Sequence, residues 1–304
     1  MYKIALFLSF SLLLTACNLN SDEDPEKDDN PEVPGTIYGS STISLNEAYS
    51  TLKTSLENND QIGIVAEIDH SQNAASINKD LGPTKIIFFG NPGLGTPLIQ
   101  ENQLAGLDLP QKVLFYENKD QVFALYNSAD YLASRHAIEE VESLNQISVA
   151  LENLVGDAVK NDLESSISKS VTASEGIETV TSSQNFETTY QSLQSIISGN
   201  ENLSIIAELD HQANAHSKGL ELRPTKIIIF GNPNLGSPLM QASQTAGLDL
   251  PQKILVWEDA NEVVHLSYND PAFLKERHEI KGSDDEIQQI TDALHNISNA
   301  ATGN

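Results

Sequence analysis

The sequence predicts an α+β protein: two tandem copies of one domain, each an antiparallel sheet with helices packed on one face. Three observations predict it. The 304-residue chain repeats itself, with Gly90 and Gly231 equivalent at an offset of 141 residues. Each copy holds five short segments with the alternation or β-branched content of strands. Each also holds two segments whose apolar residues step by three and four, as on one helix face.

The repeat is long and specific. GIVAEIDHSQNAA (Gly63–Ala75) answers SIIAELDHQANAH (Ser204–His216), and GPTKIIFFGNP (Gly82–Pro92) answers RPTKIIIFGNP (Arg223–Pro233). AGLDLPQKVLFYE (Ala105–Glu117) answers AGLDLPQKILVWE (Ala246–Glu258). After one inserted residue, YNSADYLASRH (Tyr126–His136) answers YNDPAFLKERH (Tyr268–His278). Two copies of roughly 100 residues are too few for a solenoid and make a pair of domains.

In each copy an extended segment (Gly39–Ile43; Ile177–Thr181) leads into a helix. Its apolar spacing is Leu45, Ala48, Tyr49, Leu52 and Leu56, mirrored by Phe186, Tyr190, Leu193 and Ile197. A strand follows in which Ile64, Ala66 and Ile68 alternate with Val65, Glu67 and Asp69. Lys85–Phe89 is a second strand, too short and too β-branched for a helix. After a turn and a short helix, Lys112–Glu117 and Gln121–Tyr126 form a hairpin through a polar Asn-Lys-Asp turn. A closing helix carries Leu144, Ile147, Leu151, Leu154 and Ala158, or Ile287, Ile290, Leu294, Ile297 and Ala301. Ser283 and Glu286 read as a capping box at the start of the latter.

The N-terminus reads as an export signal: Lys3, an apolar run Ile4–Leu14, then Leu14-Thr15-Ala16-Cys17. That ending resembles the lipobox of bacterial lipoproteins, which implies cleavage before Cys17 and acylation of its thiol. Two or more acyl chains give stable anchoring. Cys17 is the single cysteine, so no disulfide is expected. Residues 18–33 are rich in carboxylates and lack apolar periodicity, the composition of a disordered tether. By analogy with sorting rules, Asn18 after the cysteine favours the outer membrane, on its periplasmic or surface face. The expected organisation is a signal peptide 1–16, tether 17–35, first domain 36–165, linker 166–175 and second domain 176–304.

The net charge of −26 disfavours nucleic acid and anionic surfaces, because both need Lys and Arg to displace counterions. The expected partners are the membrane, through lipidated Cys17, and a small ligand or an envelope protein.

RPTKIIIFGNP, LDLPQKILVWED and SYNDPAFLKERH resemble the signature of domain-of-unknown-function family 302 of bacteria and archaea. The resemblance covers both copies. It implies a β-α-β(4)-α arrangement like the TATA-binding-protein fold and dimeric single-domain members. A tandem would then form that dimer within one chain as an intrachain pseudo-dimer. It implies no activity and no catalytic residue.

The turn FFGNPGLGTP (Phe88–Pro97) and its copy IFGNPNLGSP (Ile229–Pro238) invite a phosphate-binding reading. They lack G-x-G-x-x-G and G-K-[ST], and Asn234 replaces Gly93. Thr96 or Ser237 followed by proline reads instead as a hydroxyl N-cap with proline at the first helical position. Anion binding at that helix start stays open as the alternative.

Several polar residues recur in both copies, among them Glu67/Glu208, Asn73/Asn214 and Lys112/Lys253. Two site hypotheses use them. A divalent-metal site would take Asp69, His70 and His136, and in the second copy Asp210, His211 and His278. A polar-ligand or anion pocket would take His70, Lys85, Asn91 and Arg135, and in the second copy His211, Lys226, Asn232 and Arg277. Against both stands the reading in which Lys85 and Arg135 pair with carboxylates and the histidines serve the fold. No catalytic residue is assigned. The expected function is an envelope-anchored lipoprotein with two binding domains. The alternatives are a metal- or histidine-dependent hydrolase and a purely structural envelope protein.

Overall fold

The computed structural model describes residues 30–167 and 171–304. The signal segment, Cys17 and the tether to residue 29 lie outside the described residues.

The first repeat runs β1 (Thr36–Ser41), α1 (Leu45–Glu57), β2 (Gly63–Asp69), α2 (His70–Ser76), β3 (Thr84–Gly90) and α3 (Pro92–Glu101). It continues through a 3-10 helix (Gln103–Leu107), β4 (Gln111–Asn118), β5 (Gln121–Asn127), α4 (Ala129–His136), α5 (Ser143–Val159) and the short β6 (Glu164–Ser165). The second repeat follows with β7 (Ile177–Thr181), α6 (Phe186–Ser198), β8 (Ser204–Asp210), α7 (His211–Ser217), β9 (Thr225–Gly231) and α8 (Pro233–Ala242). A 3-10 helix (Gln244–Leu248), β10 (Gln252–Glu258), β11 (Val264–Asn269), α9 (Pro271–Arg277) and α10 (Asp284–Thr302) complete it.

Both sheets are antiparallel. The first is ordered β2-β3-β4-β5-β1-β6 and the second β7-β11-β10-β9-β8. The α+β expectation and the helix stripes therefore hold. Leu45, Ala48, Leu52 and Leu56 of α1 are buried, as are Ile287, Ile290, Leu294, Ile297 and Ala301 of α10.

The central strands β3, β4 and β5 are apolar on both faces, and the two faces meet different neighbours. Ile87, Phe89, Val113, Phe115 and Ala124 face α1 and α5 in one core. Ile86, Phe88, Leu114, Phe123 and Leu125 face the other way, where they meet Ile229 and Leu248 of the second repeat. Leu107 reciprocates against Ile227 and Leu255. Helices cover one side of each sheet, and the other repeat covers the opposite side. The two domains pack against each other within the chain.

Three local expectations are corrected. Alternation along β2 breaks at a bulge between Ile64 and Ala66, so Val65 and Ala66 both pack toward the repeat interface. The equivalent bulge lies between Ile205 and Ala207. Ser283 sits in the left-handed region with φ 56° and makes no side-chain cap bond, so the capping box does not form. Helix α3 starts five residues earlier than expected. Asn91 is its N-cap, accepting from the Gly93 amide, and Pro92 takes the first turn, while Pro97 lies inside the helix. Asn-Pro satisfies the same cap-plus-proline rule as Thr-Pro and comes first in the chain. Thr96 and Ser237 are buried instead.

The chain before each repeat is tied down. Val33, within the stretch that the sequence reads as tether, is buried and its amide donates to Ser166 Oγ. Val171 joins the first core.

Candidate functional site

Three of the recurring pairs, Lys112/Lys253, Arg135/Arg277 and His136/His278, meet at the repeat interface around Asp108 and Asp249. Arg135, in the last turn of α4, donates to Asp108 Oδ2 at 2.7 Å, and His136 Nε2 lies 2.9 Å from the same oxygen. Arg277 and His278 hold Asp249 Oδ2 in the same way, at 2.6 and 2.9 Å. Each guanidinium also crosses to the other repeat. Arg135 donates to the Glu175 carbonyl and to Asn269, and Arg277 to the Pro34 carbonyl and to Asn127. All of these side chains are buried.

Burial alone would raise the Asp108 carboxyl, but Arg135, the His136 hydrogen bond and the nearby lysines hold it well below the usual range. Asp249 is depressed in the same way, by Arg277, Lys112 and His278 against burial. Burial pushes Lys253 well below the ordinary lysine value, with Lys112 adding to the effect. This cluster is an interlock whose partners lie within the fold.

Lys85 and Lys226 go elsewhere. Lys85 lies 3.5 Å from Asp69 and Lys226 3.5 Å from Asp210, each near the ring of Tyr49 or Tyr190. Glu67 accepts from Tyr49 and Lys53. Asp69 and Asp210 are N-caps, accepting from the Gln72 and Ala213 amides. The expected pocket of His70, Lys85, Asn91 and Arg135 does not assemble, nor does its copy of His211, Lys226, Asn232 and Arg277. Its members are divided among a surface staple, the central interlock and the cavities described next. The metal sets separate for the same reason: Asp69 and Asp210 cap helices, while His136 and His278 bind Asp108 and Asp249. Among the described residues, no group of three or more His, Cys, Asp or Glu is placed to hold a metal ion.

Among the described residues, two cavities are shared between repeats. The first, about 640 Å³, lies under α5 at the start of α3 and the ends of β3 and β4, with His211 and Asn214 supplied by α7 of the second repeat. The second, about 220 Å³, lies under α10 at the start of α8, with His70 and Asn73 supplied by α2 of the first repeat. Asn91 thus shares a cavity with His211, and Asn232 with His70.

The local sequence explains the placement. Asp69 and Asp210 end their strands and cap α2 and α7, so the following histidine opens each helix against the other repeat. Gly247 and Gly106 let the repeats approach closely: a Cβ on Gly247 would lie 2.9 Å from Leu114 and one on Gly106 3.0 Å from Leu255, with the ring of His70 or His211 in contact at 3.4 Å. Burial pushes both histidines down to about 4, opposed by the adjoining Gly247 or Gly106 backbone and by the preceding aspartate. Both rings are neutral at pH 7.

Residues lining each cavity carry unmatched polar atoms. Gln111 Nε2 and His211 Nε2, on residues that line the first, are buried without a hydrogen-bond partner, as are Gln252 Nε2, His70 Nε2 and Ser237 Oγ on residues that line the second. The glutamines are 8% exposed and the histidines 5% or less. Buried polar groups normally find partners, so a repeated pair of orphans points to a site.

The family model described as Domain of unknown function DUF302 matches residues 38–156 and 178–300. The chain belongs to that family. A curated relative, Fluoride-specific ion channel FluC 1 of Brucella suis biovar 1 (strain 1330), is 42% identical over 102 residues, 33% of this chain and 40% of that protein. FluC 1 of Brucella abortus biovar 1 (strain 9-941) is likewise 42% identical over 102 residues, 33% of this chain and 38% of its own length. The chain therefore spans about two fifths of the length of the curated relatives it matches. The crystal structure of an uncharacterized conserved DUF302 protein from Bacillus stearothermophilus is similar with a TM-score of 0.35 and 18% identity, covering 42% of this chain and 97% of that one.

Family membership agrees with the resemblance carried by the repeated motifs, and it brings no assigned activity. Sequence reasoning missed Asp108/Asp249 and Gln111/Gln252 among the functional candidates. All four sit in the repeated LDLPQK motif, so recurrence of a polar residue between apolar neighbours was the available signal.

Proposed function

We propose that this chain is an exported lipoprotein, anchored in the outer membrane through acylated Cys17, whose paired domains bind a small molecule at their interface. The observation that carries the binding role is the repeated pair of orphaned buried groups, Gln111 with His211 and Gln252 with His70. An unsatisfied buried donor costs about 1–3 kcal/mol. Four of them at equivalent positions, each lining a cavity, are better matched by a ligand than by the needs of the fold. The lipobox-like Leu14-Thr15-Ala16-Cys17 supports the anchor. A structural role accounts for Lys112, Arg135, His136, Arg277 and His278, which are engaged in the interlock. The name of the curated relatives adds no fluoride conduction here, because the match spans only a third of this chain.

Native mass spectrometry of the chain purified from its bacterial host tests the binding role. A bound small molecule, lost in Gln111→Met and His211→Phe variants, is expected. A ligand-free spectrum, with no thermal stabilisation by neutral, anionic or cationic probes, would overturn it. Palmitate labelling that survives Cys17→Ser would overturn the anchor.

A further inference from the structure

The two cavities are equivalent in origin and unequal in size. At about 640 Å³ the first lies within the ordinary range for small-molecule sites, roughly 300–1,000 Å³, and the second at about 220 Å³ lies below it. Met240 lines the smaller cavity where Ile99 lines the larger. The larger cavity also extends along residues 59–61, whose counterparts 200–202 are not among the residues lining the smaller one.

The walls of the larger cavity are mostly apolar, with Phe89, Leu109, Leu151 and Leu154 among them. Its buried polar contribution is the Gln111 amide, the His211 imidazole and the Thr96 hydroxyl, all uncharged at pH 7. The charged lining residues, Asp60, Glu208 and Lys218, are all exposed. A buried anion would meet no buried cation there, and a buried cation no buried carboxylate, so either would lose hydration uncompensated. Gln111 Nε2 is a donor in need of an acceptor, and a neutral histidine can supply a second N–H.

We propose that the larger cavity takes an uncharged, mainly apolar molecule whose carbonyl or hydroxyl oxygen accepts from Gln111 and His211, and that the smaller cavity does not admit it. This rests on the binding role proposed above.

Titration calorimetry with four probes of equal chain length tests it: octan-2-one, octane, octanoate and octylammonium. One equivalent of octan-2-one is expected to bind. Octane should bind about tenfold more weakly, the loss of about one hydrogen bond. Gln111→Met or His211→Phe should weaken the ketone by a similar factor, and Lys53→Ala, outside both cavities, should leave it unchanged. Tighter binding of octanoate or octylammonium would overturn the ligand class while leaving a binding role intact. Two equivalents, one of them lost in Gln252→Met, would overturn the restriction to the larger cavity. Silence from all four probes would overturn this inference, and a ligand-free native mass spectrum would then remove the binding role as well.

Discussion

Lys112 Nζ lies 3.1 Å from Asp249 Oδ1, joining residues 137 positions apart in different repeats. Both side chains are almost fully buried. The matching bond from Lys253 to Asp108 is not made, and Asp108 Oδ1 has no hydrogen-bond partner. The interlock is therefore nearly twofold in composition and asymmetric in its lysines. Two ammonium groups side by side in a buried site repel, and burial with Lys112 holds Lys253 well below its ordinary value.

That asymmetry sets opposite expectations for two equivalent lysines. Lys112→Met removes a partner from a buried carboxylate and should cost about 3 kcal/mol, at the low end for a broken buried pair because Arg277 and His278 still hold Asp249. Lys253→Met should be neutral or stabilising. Urea unfolding of both variants checks this, and equal losses would contradict it.

The cavity histidines make stability depend on pH. His70 and His211 titrate near 4 in the folded chain, against about 6.5 unfolded. Below pH 6.5 the unfolded state binds protons that the folded state refuses, so stability falls as pH drops from about 6.5 toward 4. Each histidine contributes up to about 3 kcal/mol to that loss, at about 1.4 kcal/mol per pH unit. The depressed carboxyls of Asp108 and Asp249 act in the same direction, but only below about pH 4. Melting curves between pH 7 and 4 should show the slope, and His70→Phe/His211→Phe should flatten it.

Each repeat should fail alone. Separation would expose Phe88, Leu114, Phe123 and Leu125 on one sheet face and strip Arg135 of Asn269 and the Glu175 carbonyl. Single repeats should dimerise or lose cooperative unfolding. A stable monomer in sedimentation analysis would contradict this.

Asn91→Ala and Asn232→Ala should each cost about 1 kcal/mol, the ordinary value of an N-cap. Denaturant midpoints would show whether the cap lies there or at Thr96 and Ser237.

Much of the fold was legible because it is local. The 3,4 spacing of Leu45, Ala48, Leu52 and Leu56 gives α1 its buried face, and the repeat declares two domains. The site was less legible because it is built in trans. Nothing near His70 in sequence says that it lines a cavity of the second repeat, since α2 depends on Asp69 as a cap and on the close approach of the repeats at Gly247. Grouping recurring residues within one copy therefore placed His70 with Asn91, whereas the fold places it with Asn232. Asp108 gives little signal in the sequence because it sits between leucines, and its partners come from three other segments, α4, β4 and β10.

The central claim is that Gln111 and His211 keep unmatched hydrogen-bonding groups for a ligand. Urea unfolding of the ligand-free Gln111→Met/His211→Phe double variant tests it most directly. Replacing orphaned buried groups with apolar ones of similar shape should leave stability equal or raise it by about 1–3 kcal/mol, while binding of octan-2-one is lost. A clear loss of stability with probe binding unchanged would contradict the account and return both residues to the service of the fold.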